Sequence, residues 1–240
     1  MAAMTEAAVP LQQRQSVRVD LARTSVRELN AALHAGDVAQ RADHWLVRHP
    51  QGKHSIAVGL DAEIEVEIDG HVGYYCAGMN QRATVTVNGN AGTGLAENMM
   101  SGTVRVKGSA SQSAGATAHG GLLVIEGDAS ARCGISMKGV DIVVGGSVGH
   151  MSAFMGQAGR LVVCGDAGEA LGDSLYEARI YLQGSVKSLG ADCIEKPLRD
   201  EHLAELTDLL ARAGISADPR AFRRYGSARQ LYSFHVDNAY

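Results

Sequence analysis

The sequence predicts an all-β fold, a single-stranded right-handed parallel β-helix of about seven 19-residue coils with short flanking helices. Two observations predict it: a glycine recurs every 19 residues without a slip, and aliphatic residues recur in the same register. A fixed period of this size is typical of a solenoid, in which each period is one coil stacked on the previous one. The recurring glycines are Gly70, Gly89, Gly108, Gly127, Gly146, Gly165 and Gly184.

Two aliphatic columns precede these glycines, a column being the residues at one position in successive coils. Four residues before the glycine stand Val66, Val85, Val104, Leu123, Ile142, Leu161 and Ile180. Two before it stand Ile68, Val87, Val106, Ile125, Val144, Val163 and Leu182. Because alternate residues of a strand point to the same side, both columns face inward and stack into the core.

Two corners complete each coil. The glycine supplies a positive φ or a close backbone approach, and the residue after it belongs to a turn-forming column of polar residues. That column is His71, Asn90, Ser109, Asp128, Ser147, Asp166 and Ser185. Small residues seven positions past the glycine predict the second corner: Ala77, Ala96, Gly115, Gly134, Ala153, Gly172 and Ala191. The left-handed hexapeptide type would need a period of about 18 residues with a six-residue sub-repeat, which is not visible.

The columns and their flanks divide the chain into four regions. These are a disordered leader at 1–15, an N-terminal helix with entry strands at 16–63, the β-helix at 64–197 and a C-terminal helical extension at 198–240.

Helix signals support both flanks. Ser25 and Glu28 form a capping-box pattern before a helix that we expect to end near Gly36. A second helix is predicted over 199–213, because leucines lie along one face before Gly214. Asp218 and Pro219 resemble the start of a further short helix.

Composition excludes several function classes. A net charge of −4 gives no indication of nucleic acid or an anionic membrane as the main partner. No run of about 18 apolar residues predicts a membrane span, and residues 1–15 lack a secretory-signal pattern. We expect a cytoplasmic protein with four free thiols, because the repeat register keeps its cysteines apart. They are Cys76, Cys133, Cys164 and Cys193.

No catalytic constellation stands out, so we predict no catalytic, cofactor-binding or metal-binding residue in this chain. His71, His119 and His150 fall in different columns, and no C-x-x-C, phosphate-loop or dinucleotide motif occurs. Turn chemistry explains the Ser and Asp residues at the corners. The coils carry no insertions, which leaves little room for a polysaccharide-binding groove.

One outward column indicates a covered surface. Three residues before the glycine it reads Glu67, Thr86, Arg105, Val124, Val143, Val162 and Tyr181, changing from polar to apolar midway. Val124, Val143, Val162 and Tyr181 are therefore a candidate subunit interface. Two alternatives stay open: the chain's own C-terminal helix covers the stripe, or the strands are apolar on both faces. A methionine set, usually core filler, is a weaker sign: Met99, Met100, Met137, Met151 and Met155.

The coil sequence resembles a known family. Residues 89–96 read GNAGTGLA and residues 165–172 read GDAGEALG. Over about 64–197 this pattern resembles the glycine-repeat domain that closes the large subunit of glutamate synthase, a domain that also occurs in formylmethanofuran dehydrogenase. The flanks at 20–30 and 231–238 resemble the stand-alone β-helical chain of N-methylglutamate synthase, also called methylamine–glutamate N-methyltransferase.

The resemblance implies a non-catalytic scaffold in a complex that converts methylamine and glutamate into N-methylglutamate and ammonia. It implies two partners, a glutamine amidotransferase-like subunit and a glutamate-synthase-like subunit that holds FMN and iron–sulfur clusters. This chain would hold no cofactor. Three alternatives remain: a component of a formylmethanofuran dehydrogenase complex, a free-standing β-helical enzyme acting on polysaccharide, and a homo-oligomeric structural protein.

Overall fold

The computed structural model describes residues 16–35 and 42–229. The predicted leader, the helix stop at Gly36 and the flank at 231–238 lie outside these residues. In chain order the strands are β1 (Ser16–Asp20), β2 (His44–Arg48), β3 (Glu65–Asp69), β4 (Thr84–Val87), β5 (Thr103–Val106), β6 (Leu122–Ile125), β7 (Lys138–Val144), β8 (Ala158–Val163), β9 (Arg179–Leu182), β10 (Cys193–Lys196) and β11 (Arg223–Ser227). The α-helices are α1 (Val26–His34) and α2 (Asp200–Ala213), and a 3₁₀ helix spans Pro219–Ala221.

A parallel ladder with a 19-residue register forms the body of the molecule. Val66 lies opposite Val85, Val85 opposite Val104, and the pairing continues at the same offset to Ile180 on β9. A second line of parallel bridges joins Val72, Ala91, Ala110, Ala129, Val148, Ala167 and Val186. Both predicted aliphatic columns are buried in the core. The predicted all-β parallel β-helix of about seven coils is confirmed.

The recurring glycines allow close stacking of the coils. Among the seven, only Gly70 has a positive φ, at 134°. A Cβ on Gly89 would lie 2.6 Å from the Gly70 carbonyl, and one on Gly184 would lie 2.4 Å from the Gly165 oxygen. Of the two predicted reasons for glycine, close backbone approach is therefore the general one.

The second corner takes the left-handed conformation. Six of its seven small residues have φ values between 53° and 67°: Ala77, Ala96, Gly115, Gly134, Ala153 and Gly172. The seventh, Ala191, lies in a coil where the bridge offset shortens by one residue, from Leu171 to Leu189. There Asp192 has the positive φ instead, at 61°.

The polar turn column is a hydrogen-bond ladder between coils. Each side chain before the last accepts from the backbone N–H of the residue 19 positions later, as when Oδ1 of Asp128 accepts from Ser147 at 2.7 Å. The same contact links His71, Asn90, Ser109, Asp128, Ser147, Asp166 and Ser185 in sequence. These side chains therefore serve structure, as turn chemistry predicts.

The N-terminal end of the stack is covered by β1, β2 and α1. β1 and β2 continue the parallel ladder ahead of β3. The predicted capping box of α1 is present, since Ser25 Oγ accepts from Glu28 N–H and the Glu28 carboxylate accepts from Ser25 N–H. On the same helix, Asn30 donates to the Ser55 carbonyl and accepts from Ala57 N–H at 2.8 and 2.9 Å. Its carboxamide thus makes the two hydrogen bonds that a peptide group of a preceding coil would otherwise make.

The C-terminal end closes with an antiparallel strand that the repeat pattern did not predict. β11 lies between β9 and β10 and is antiparallel to both. Its Tyr225 is 2 % exposed and joins the solenoid core. β11 follows the 3₁₀ helix. Asp218 caps the N-terminus of that helix, as the sequence predicts.

Candidate functional site

The candidate interface column lies beneath the chain's own C-terminal helix. Val124, Val143, Val162 and Tyr181 are each 0 % exposed. They pack with one face of α2, through Leu206, Leu209, Leu210 and Ala213, and with Phe222. The prediction that these four residues form a surface for another subunit is therefore wrong, because α2 already occupies that surface.

Helical spacing explains why α2 fits this stripe. Leu206, Leu209, Leu210 and Ala213 fall three or four residues apart and so share one helix face. The helix begins one residue later than predicted and ends at Ala213, followed by Gly214, which has a φ of 64°. The first of the two alternatives, intramolecular cover, is the one that the structure adopts.

A polar network beside the stripe fixes the position of α2. Arg160 donates through Nε and Nη2 to both oxygens of Asp141, at 2.6 and 2.7 Å. Its Nη1 lies 3.2 Å from Glu205 on α2, and Arg179 approaches the same carboxylate at 2.6 Å. The hydroxyl of Tyr181 donates to the other oxygen of Glu205 at 2.5 Å. The network therefore ties three successive coils to one helix.

Burial and the surrounding groups act in opposite directions on the pKa of Glu205, whereas burial and the Glu205 carboxylate act in the same direction on the pKa of Tyr181. Burial raises the pKa of Glu205, but the Tyr181 hydroxyl and the guanidinium groups of Arg179 and Arg160 lower it more, so its pKa falls below the usual value. Burial also raises the pKa of Tyr181, and the hydrogen bond to the Glu205 carboxylate raises it further. Glu205 is therefore held ionised and Tyr181 protonated.

The sequence did not predict this network, although a signal was present. Five residues before the glycine, the column ends in Asp141, Arg160 and Arg179, three charged residues stacked in consecutive coils. Such stacking on an otherwise apolar part of the outer face indicates a charged partner. That partner, Glu205, could be found only by placing α2 over the column.

The polar half of the outward column remains uncovered. Arg105 marks the boundary: its Nη1 pairs with Glu126 at 2.8 Å, and its Nη2 donates to the carbonyl of Ala213, the last residue of α2. The column therefore changes from polar to apolar where the helix cover begins. Glu67 and Thr86 lie on the part of the sheet beyond α2 and remain partly exposed.

The other candidate residues have structural surroundings. His71 belongs to the turn ladder, where its Nδ1 accepts from the Asn90 N–H at 2.9 Å. Burial raises the pKa of Cys76 and Cys133 to about 12. Within residues 16–35 and 42–229, no group of three His, Cys, Asp or Glu side chains could hold a metal ion.

The methionines divide between the core and the surface. Met99 and Met137 are fully buried, as expected of core filler. Met100 and Met155 are 48 % and 42 % exposed, which makes them surface residues. The interpretation of the set as core filler therefore holds only in part. Across the part of the chain that the structure describes, no helix has the length and apolarity to cross a membrane.

Comparison with known proteins gives one relative of high similarity. The chain is 60 % identical over 222 residues to Protein GlxC of Rhizobium meliloti (strain 1021). The aligned region covers 92 % of this chain and 97 % of the relative. No family model and no solved structure matches the chain.

Proposed function

Because the chain belongs to the family of Protein GlxC, we propose that it is a scaffold subunit of a glutamate-synthase-like complex. The observation that carries the proposal is the continuous ladder from β1 to β9, a rigid body whose α2 is fixed to its outer face. The coil sequence supplies the link to glutamate synthase, since it resembles that enzyme's glycine-repeat domain.

A parallel solenoid suits a positioning role. Each coil adds about 4.8 Å of length, and hydrogen bonds join neighbouring coils along both lines of bridges and along the polar turn ladder. Two proteins bound at different coils would therefore be held at a fixed separation. Fixed placement of reacting groups contributes to catalysis even when the scaffold supplies no reacting group.

The finer form of the proposal is N-methylglutamate synthase, which forms N-methylglutamate and ammonia from methylamine and glutamate. The partners would be a glutamine amidotransferase-like subunit and a glutamate-synthase-like subunit with FMN and iron–sulfur clusters. The flanking sequences support this assignment. In it, the present chain holds the two partner subunits and carries no cofactor itself.

Purification of the tagged chain from its native host tests whether the chain is a scaffold subunit of a glutamate-synthase-like complex. We expect an amidotransferase-like protein and a flavoprotein to co-purify, with flavin and iron–sulfur absorbance. A colourless chain that purifies alone or only with itself would contradict the scaffold role. A metal-dependent hydrolase-like partner would instead favour the formylmethanofuran dehydrogenase type of complex.

An activity assay on the purified complex tests the assignment to N-methylglutamate synthase. The complex is incubated with glutamate and methylamine, and N-methylglutamate is measured by mass spectrometry. The same substrates incubated without the complex serve as the matched control. Product that forms only in the presence of the complex would support N-methylglutamate synthase, whereas a flavin-containing complex that forms none would support only the scaffold role in a glutamate-synthase-like complex.

A further inference from the structure

A basic groove lies at the C-terminal end of the solenoid, where β9, β11 and β10 run side by side. Its volume is about 170 Å³. Its lining includes Glu177, Arg179, Lys196, Arg224, Gly226 and Arg229. None of these residues belongs to the apolar surface that α2 covers.

Gly226 opens the groove. On β11 it lies two residues after Arg224 and therefore on the same face of the sheet. A Cβ at Gly226 would lie 3.5 Å from Cδ of Lys196, an ordinary contact distance, and its φ is not positive. Neither backbone conformation nor packing requires a glycine here, so a larger side chain would simply fill the space beside Lys196.

Positive charge exceeds negative charge along the walls. Four cationic side chains line the groove against one carboxylate, that of Glu177. Arg179 and Arg229 already pair with Glu205 and Asp192. The other two cationic residues, Lys196 and Arg224, provide the excess.

Lys196 and Arg224 carry the unbalanced charge. Arg224 donates through Nε to the Pro197 carbonyl. Among the ion pairs of residues 16–35 and 42–229, none includes Lys196 or Arg224. Burial lowers the pKa of Arg224, and the positive charges of Arg179 and Arg199 lower it further, against the opposing effect of Tyr181 and the Glu201 carboxylate. A bound anion would relieve this repulsion.

The neighbouring strand favours a polypeptide as the source of that anion. Among the strands of residues 16–35 and 42–229, β10, which carries Lys196, is terminal in the sheet and is paired through one edge, with β11. The free edge of a terminal strand can pair with an extended segment of another chain. Ile194 of the same strand is 44 % exposed, which provides an apolar contact beside the charges.

We infer that this groove binds a carboxylate-rich segment of a partner polypeptide, with Lys196 and Arg224 as its principal contacts. Guanidinium and ammonium groups form charge-assisted hydrogen bonds with carboxylates, and the guanidinium geometry suits bidentate pairing. The inference deepens the proposed scaffold function, on which it rests, because it assigns one docking surface to this chain.

The test measures binding of a fluorescent hexaglutamate peptide by anisotropy at low salt, with hexaglutamine as the neutral control. Lys196→Glu should weaken binding about tenfold, since it places like charges in contact. Gly226→Leu, which fills the groove without changing its charge, should weaken binding as well. Lys107→Glu makes the same charge change at an exposed site on the polar half of the sheet and should leave the affinity unchanged.

Three results would overturn the inference. The first is equal binding of hexaglutamate and hexaglutamine. The second is an equal loss of peptide affinity in the Lys196→Glu and Lys107→Glu variants. The third is displacement of the peptide by inorganic phosphate at the same concentration at which free glutamate displaces it. Circular dichroism of each variant establishes that it is folded.

Failure of the inference and failure of the proposed function are distinguishable. If the wild-type chain purifies with its partners and Lys196→Glu leaves both peptide binding and the complex unchanged, the groove is not a docking surface and the scaffold role stands. If the peptide binds as expected and the chain purifies alone, the groove assignment stands and the scaffold role fails.

Discussion

The hydroxyl of Tyr181 donates a 2.5 Å hydrogen bond to the carboxylate of Glu205, which joins the last residue of the outward column to the helix that covers it. Glu205 also accepts from Arg179, which lies two residues before Tyr181 on the same strand. The cover of the apolar stripe is thus held by charge and hydrogen bonding as well as by leucine packing.

Val143→Glu should destabilise the chain itself. Val143 is fully buried beneath α2, and the substitution places a carboxylate in an apolar site. We expect the free energy of unfolding to fall by about 3 kcal/mol or more, measured by urea denaturation.

Thr86→Glu is the matched control for that variant. It lies in the same column on the part of the sheet that α2 leaves open, so its stability should change by less than about 0.5 kcal/mol. Equal stability of the Val143→Glu and wild-type chains, with loss of assembly alone, would restore the subunit-interface interpretation.

Glu205 should make stability depend on acidic pH. Its folded pKa is lowered, so the unfolded chain binds more protons as the pH falls below about 4.5. The stabilisation is fully present above that pH and is lost as the pH falls through the folded pKa. Glu205→Gln should therefore flatten the unfolding free energy between about pH 5 and pH 3, relative to wild type. An unchanged slope of the unfolding free energy against pH would show that Glu205 does not determine the pH dependence of stability in this range.

His202 should also make stability depend on pH. Its charged form is a cation, whereas that of Glu205 is an anion, but in both cases stability should fall as the pH falls. Burial lowers the pKa of His202, and its Nδ1 accepts from the Arg199 N–H at the start of α2. Because the folded state favours the neutral ring, stability should fall as the pH drops from about 6.5 toward the folded pKa. His202→Gln should reduce that fall in thermal unfolding experiments. A wild-type curve without any fall below about pH 6.5 would contradict this assignment.

Asn30→Leu should weaken the N-terminal end of the stack. The change leaves the backbone N–H of Ala57 without its acceptor, which costs about 1–3 kcal/mol. Asn30→Asp, which keeps an acceptor and loses only the donor to Ser55, should cost less. Hydrogen exchange at Ala57 gives the local readout. Equal protection of its N–H in both variants would contradict the role of Asn30 as its hydrogen-bond acceptor.

Gly89→Ala should disturb the coil spacing. Its Cβ would lie 2.6 Å from the Gly70 carbonyl, so one coil must move, at a cost of about 1–3 kcal/mol. Gly226→Ala introduces the same methyl group at ordinary contact distance and should be nearly neutral. Similar melting temperatures for the two variants would contradict the close-approach explanation.

The repeat made most of the fold predictable, because each column samples one environment seven times. Val85 or Ile142 alone says little, whereas seven aliphatic residues at one position indicate a buried ladder. β11 could not be predicted in this way, since it has no repeat and pairs antiparallel through long-range contacts. The same limit applies to α2: its leucine face was visible in the sequence, but its partner surface was not. The outward valines could therefore be recognised as covered without revealing what covers them.

Reconstitution of the complex is the measurement that tests the scaffold account most directly. The amidotransferase-like and flavin-containing subunits are combined with and without this chain, and methylamine-dependent formation of N-methylglutamate is followed. The account predicts that the full rate requires this chain, although it supplies no cofactor. The same rate from the two partner subunits alone would contradict the scaffold function.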